Sequence, residues 1–192
     1  MTTEPAADLV ERRIRESIAM QERLLGDDAV AAMVSAAELI SEALGRGGKL
    51  LAFGNGGSAS DADHITGELV GRFQLERRGL PALSLSDNAS AFTAIANDYG
   101  YERVFARQVE ALGVEGDVAL GISTSGTSAN VLAAFESARA GGLSTIGLIG
   151  GSGLRAAVDI CIAVPSDETP RIQEGHTLVA HVLCELVERA IA

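Results

Sequence analysis

Lysine, cysteine, histidine and tryptophan are the scarce residues of this 192-residue chain: one lysine (Lys49), two cysteines (Cys161, Cys184), three histidines (His64, His176, His181) and no tryptophan. Schiff-base catalysis and Walker-type phosphate binding each need a lysine at a defined place. Lys49 follows Gly47-Gly48 and leads into an apolar run with no Ser or Thr behind it, so it reads as a solvated residue where a strand begins. Cys161 and Cys184 are too far apart for a CxxC pair, which leaves two buried, reduced thiols rather than a zinc knuckle or a disulfide framework. No segment approaches the roughly 18 apolar residues of a membrane span, and the first residues alternate acids and arginines without an apolar stretch. A cytoplasmic protein with no membrane partner is expected. The formal net charge of −11 argues against nucleic-acid binding, which needs a basic face to neutralise phosphates.

What the chain does have is apolar material, 47% of its residues, enough for the core of one domain. Leu9, Val10, Ile14, Ile18 and Leu25 recur at helical spacing over about residues 7–25. Asp27-Asp28 then offer caps for a second helix whose face is Val30, Met33, Ala37, Ile40 and Leu44, closed by Gly45. After this helical hairpin come five short apolar runs, at 50–53, 82–85, 118–122, 145–149 and 160–164, separated by helical patterns. Continuously apolar strands alternating with helices predict a doubly wound, five-stranded parallel sheet of the α/β class. Ligands of such sheets collect beyond the carboxyl ends of the strands. A last helix is expected over about 170–191.

Three features carry chemistry. The first strand runs into Gly54-Asn55-Gly56-Gly57-Ser58-Ala59, formally the GxGxxA of dinucleotide sites. A dinucleotide fold also wants an acid about 20 residues on, whereas here the second strand ends near Ser86-Asp87, more than 30 residues from Gly54. The glycines therefore specify an anion or sugar oxygen near backbone N–H groups and little more. Following the third strand, Ser123-Thr124-Ser125-Gly126-Thr127-Ser128 places five hydroxyls around a glycine at a helix start, a phosphate cradle that needs no lysine; an ordinary capping turn is the plainer alternative. Finally, His64 and Glu68 lie one helical turn apart and can serve one spot as metal ligands or as an acid–base pair, or be a solvated surface contact. His181 falls in an apolar stretch where an imidazole needs a partner, while His176 reads as structural or exposed.

Taken together, GNGGS at 54–58, His64-x-x-x-Glu68, Ala96-Asn97-Asp98-Tyr99-Gly100, GISTSGTSAN at 121–130 and RIQE at 171–174 with His181 eight residues past Gln173 resemble the sugar isomerase (SIS) domain. Within it the sequence is most similar to the sedoheptulose 7-phosphate isomerases, also called phosphoheptose isomerases. The resemblance implies a flavodoxin-like SIS domain over 1–192, with helices at 1–46 used for assembly and an α/β core at 47–192. It further implies a homotetramer that isomerises D-sedoheptulose 7-phosphate to D-glycero-D-manno-heptose 7-phosphate through an enediol. Ser123, Thr124, Ser125 and Ser128 would hold the phosphate, with Asn55, Gly56, Gly57, Ser58, Asn97, Asp98, Gln173 and Glu68 around the sugar. One Zn2+ per subunit would sit on His64, Glu68, Gln173 and His181, and Glu68 and His181 would be the acid–base pair.

Gln173 and His181 are about 12 Å apart along a continuous helix, too far to share one metal. Either the helix begins after Gln173 or one of the two comes from a neighbouring subunit, and the second is the favoured reading. The sequence departs from relatives around residues 59–63 and 90–94, which bears on sugar specificity and not on the catalytic positions. Two rival functions remain: a non-catalytic SIS protein that binds a phosphosugar or a replication initiator, and an isomerase of another phosphosugar.

Overall fold

The computed structural model describes residues 4–151 and 158–192. Two helices, α1 (Ala6–Arg23) and α2 (Asp27–Gly45), precede an alternation of β1 (Leu50–Gly54), α3 (Gly57–Val70), β2 (Ala82–Ser84), α4 (Ala89–Tyr99), a 3-10 turn at Tyr101–Arg103, α5 (Ala106–Leu112), β3 (Val118–Ser123), α6 (Ala129–Ala140), β4 (Ser144–Gly150), β5 (Ile160–Val164) and α7 (Thr169–Ile191). All neighbouring strands pair in parallel, in the order β2-β1-β3-β4-β5. The expected class, the strand count and the helical hairpin are all present, with strand ends shifted by a residue or so.

Strand side chains alternate between two cores, as a pleat with period 2 demands. Leu50, Ala52, Leu120, Ile122, Leu148 and Ile162 face α2, α3 and α7. Leu51, Phe53, Ala119 and Ile149 face the other layer, where Phe105 and Phe135 each pack on the Phe53 ring at 5.5 Å. Gly121 in β3 sits beneath that ring cluster: a Cβ there would lie 2.4 Å from Phe135.

Two expectations change at this level. Helix α2 takes Gly26 as its N-cap, and Asp27 is already its first helical residue. Lys49 is not simply solvated: its ammonium pairs with the fully buried Asp117 carboxylate, which also accepts the Lys49 and Val114 backbone N–H groups at 2.9 Å each. This one carboxylate ties the edge before β1 to the turn before β3, 68 residues away. Cys184 is buried as expected, Cys161 only half so, and neither forms a disulfide.

Helix α1 differs from the other long helices. Met20 is its one buried residue, whereas Val10, Ile14 and Ile18 are each more than half exposed. Among the described residues nothing covers its outer apolar stripe.

Asp117→Ala is expected to lower the unfolding free energy by about 3 kcal/mol, because it strands two buried N–H groups and a half-buried ammonium. Lys49→Met, which leaves the amide bonds in place, should cost less. Urea titration of the two variants checks the order.

Candidate active site

Strands β1 and β3 are neighbours, but α3 leaves β1 on one face of the sheet and α6 leaves β3 on the other. Strand order reverses there, and the crevice at the carboxyl ends is where open parallel sheets bind ligands. Both loops singled out from the sequence meet in it. Gly54 closes β1 so tightly that a Cβ would come within 2.8 Å of the Ile122 carbonyl, and Gly56 turns the chain at φ +57. Beside it, the Gln173 amide from α7 lies 2.1 Å from where a Cβ on Gly57 would be, so a side chain there would push the amide aside. Ser58, in the first turn of α3, is buried rather than open to the crevice.

The hydroxyl loop turns its oxygens inward. Ser123 Oγ accepts from the Gly126 N–H at 3.1 Å and lies 3.2 Å from Ser128 Oγ, and Ser125 Oγ accepts from the Thr127 N–H and hydroxyl, both at 3.2 Å. Ser128 occupies the N-cap position of α6 but makes no side-chain cap bond. The capping alternative is thereby set aside, and the first-turn N–H groups of α6 keep no side-chain acceptor. Neutral donors and a helix dipole thus converge without any lysine, a suitable seat for a phosphate.

Across the crevice Asn55 is fixed by residues the sequence reading passed over. Its amide exchanges two hydrogen bonds with the buried Asn130, at 2.9 and 2.8 Å, and its Oδ1 also accepts from the Tyr101 hydroxyl at 2.9 Å. Asn130 lay inside the quoted GISTSGTSAN motif, but nothing about an asparagine in a first helical turn says that it faces another loop. Asn97 and Asp98 are exposed on α4 and bond to each other at 2.7 Å; among the described residues no hydrogen bond links them to either loop.

A second group forms lower on the same helices. His64 Nε2 lies 3.2 Å from Glu68 Oε1 and 3.4 Å from His181 Nε2, so His181 finds its partner in His64, and the Phe73 ring packs on the His181 imidazole at 5.5 Å. Among the described residues no three His, Cys, Asp or Glu side chains are arranged to hold a metal by themselves. Pairwise the spacings nonetheless suit one tetrahedral metal, whose bonds of about 2.0–2.1 Å place neighbouring donors roughly 3.3 Å apart.

Gln173 is not part of this group. Helix α7 already begins at Thr169, which excludes a helix that starts after Gln173. The eight residues to His181 are continuous helix, so Gln173 stays beside Gly57 while His181 lies about 12 Å further down. Likewise Glu68 is eleven residues past Gly57, about 16 Å along α3. The chain thus brings together Asn55, the hydroxyl loop and Gln173 at the sheet's carboxyl edge, and separately His64, Glu68 and His181 toward the opposite edge.

The sequence signature of the SIS domain matches residues 14–150. The chain belongs to the SIS domain family. It is 60% identical over 161 residues to a phosphoheptose isomerase of Roseiflexus sp. (strain RS-1), covering 83% of this chain and 82% of the relative. Among solved structures, a phosphoheptose isomerase from Neisseria gonorrhoeae superposes with a TM-score of 0.91 at 40% identity, over 96% of this chain and all of that one. A second, from Francisella tularensis, gives 0.93 at 38% identity, over 97% and 100%.

Between the two groups sits a buried polar pair. His176 is fully buried, neither ring nitrogen makes a well-aligned hydrogen bond among the described residues, and its Nδ1 is 4.0 Å from the Asp61 carboxylate, whose other oxygen accepts from the Thr177 hydroxyl. Burial pushes the imidazole down to about 4, with the Ile149 backbone opposing it only in part. A histidine depressed in the folded state adds stability above its unfolded value near 6.5 and loses it as pH falls through the folded value. Stability should thus decline by up to roughly 3 kcal/mol between pH 6.5 and 4. Desolvation raises Asp61, which acts in the opposite sense over the acid end of that range. In urea titrations across this window, His176→Leu should flatten the decline.

Proposed function

We propose that the protein is an intramolecular oxidoreductase that converts D-sedoheptulose 7-phosphate to D-glycero-D-manno-heptose 7-phosphate. The observation that carries this reading is the meeting of Glu68, His64 and His181 in a chain that also holds a lysine-free anion cradle at β3. Moving a carbonyl from C2 to C1 needs a base for a carbon-bound proton and a second group for the oxygens. Glu68 takes the C1 proton of the ketose and returns it to C2. His181 carries a proton between O2 and O1 of the enediol. Ser123, Thr124, Ser125 and Ser128, with the N–H groups of α6, hold the phosphate, and Asn55 and Gln173 line the sugar, joined by Asn97 and Asp98.

Gln173 lies about 12 Å from His181 along α7, so it can join His64, Glu68 and His181 at one metal only from a neighbouring protomer, and the site is shared within a homotetramer. The uncovered stripe of α1 supports such an assembly, since apolar area of this kind is buried between subunits. One Zn2+ per subunit on these four residues would supply a Lewis acid for the substrate oxygens. No helix among the described residues is long and apolar enough to cross a membrane, and the reading places the enzyme in the cytoplasm.

A non-catalytic phosphosugar-binding role would have no use for a carboxylate and two imidazoles in contact. The direct test is incubation with sedoheptulose 7-phosphate, with and without chelator, reading the aldose by NMR; absence of product in both would end the isomerase reading. Glu68→Gln should lower kcat at least 100-fold with the fold intact. The double substitution Val10→Glu, Ile14→Glu should leave a folded monomer by light scattering, with turnover lost because each site is shared.

A further inference from the structure

Below the acid–base group lies a buried ion pair that the isomerase mechanism does not use. Glu188 in α7 and Arg77, in the segment between α3 and β2, are 1% and 3% exposed at their side chains, and the Arg77 Nε lies 3.1 Å from Glu188 Oε1. The carboxylate also accepts three successive backbone N–H groups, from Phe73 at 3.0 Å and from Gln74 and Leu75 at 2.7 Å each. The guanidinium in turn donates to the carbonyls of Glu68 at 3.0 Å, Leu69 at 2.9 Å and Arg78 at 3.0 Å. Two of these belong to the last turn of α3, whose carbonyls have no helical partner. Desolvation pushes the Glu188 carboxyl up, but the Leu75, Gln74 and Phe73 amides with Arg77 outweigh it and hold it below the usual range.

Each end of this pair reaches an acid–base residue. The cradled amide of Phe73 fixes the residue whose ring packs on His181. The capped carbonyl of Glu68 belongs to the residue whose carboxylate faces His64. A clamp needed only for stability would not have to end at both. We infer that Arg77 and Glu188 are positioning residues for proton transfer: they set the Glu68 backbone and the Phe73 wall so that Glu68 and His181 address the same substrate carbons. The inference rests on the isomerase reading. Removing the charge leaves three amides competing for one neutral acceptor, so residues 73–75 shift and the ring moves off His181.

The test is a double-mutant cycle in the full chain, with Glu188→Gln, Phe73→Leu and the combination. Each single variant is expected to lose at least tenfold in kcat with KM within about twofold of wild type, as a misplacement near 1 Å does. The double variant should fall no further than the weaker single, because both act through the same ring. Protection by inorganic phosphate against thermal unfolding should be unchanged, since the cradle lies at the other edge of the sheet. If Glu188→Gln does not fold, Arg77→Lys, which keeps the charge and loses the carbonyl bonds, takes its place. Wild-type kcat in a folded single variant, or losses that multiply in the double, would overturn the inference. Absence of turnover in the wild type would instead overturn the isomerase reading on which it stands.

Discussion

Because β1 and β3 are hydrogen-bonded neighbours whose helices leave on opposite faces, two helix N-termini open side by side at one edge of the sheet. Everything at that edge follows from this adjacency. It brings Asn55 within reach of Asn130 and sets the hydroxyl loop before α6 beside the glycine loop before α3. In a chain of net charge −11 with one lysine, already committed to Asp117, the anion must be held by dipoles and neutral donors. Such donors lose little by having no counter-charge, since an N–H at a helix start has no other partner.

Helix geometry then imposes a division. Helices α3 and α7 run away from the crevice, and each carries one early residue to it, Gly57 or Gln173, and later residues to the acid–base group. A rise of 1.5 Å per residue cannot be folded back. On the proposed isomerase reading the chemistry of one substrate is drawn from two copies, and that assembly gives the exposed apolar stripe of α1 a use.

Much of this was legible in the sequence. Five continuously apolar runs could hardly be anything but buried strands, and the loops after β1 and β3 declared their composition. His64 and Glu68 announced their common face by spacing alone, and the α1 stripe was visible as a period. What stayed hidden depends on contacts between distant residues. Asp117 gave no sign that it would bury itself under Lys49, and Asn130 looked like any polar residue in a first helical turn. Glu188 and Arg77 are 111 residues apart and ordinary in type. The start of α7 was open because Pro170 suits either side of a helix boundary, and Thr169 as the first residue settles it.

The Gln173 amide that rests against Gly57 has a consequence for how the chain matures. Helix α7 follows every strand in chain order, and it supplies the amide over the glycine loop, the imidazole facing His64 and the carboxylate that gathers residues 73–75. Until it docks, the sheet carries a glycine loop without the Gln173 amide and a His64–Glu68 pair without His181. Both groups are therefore completed by the docking of one helix, and an α7 interrupted before Glu188 would leave the strands intact while losing the carboxylate that gathers residues 73–75.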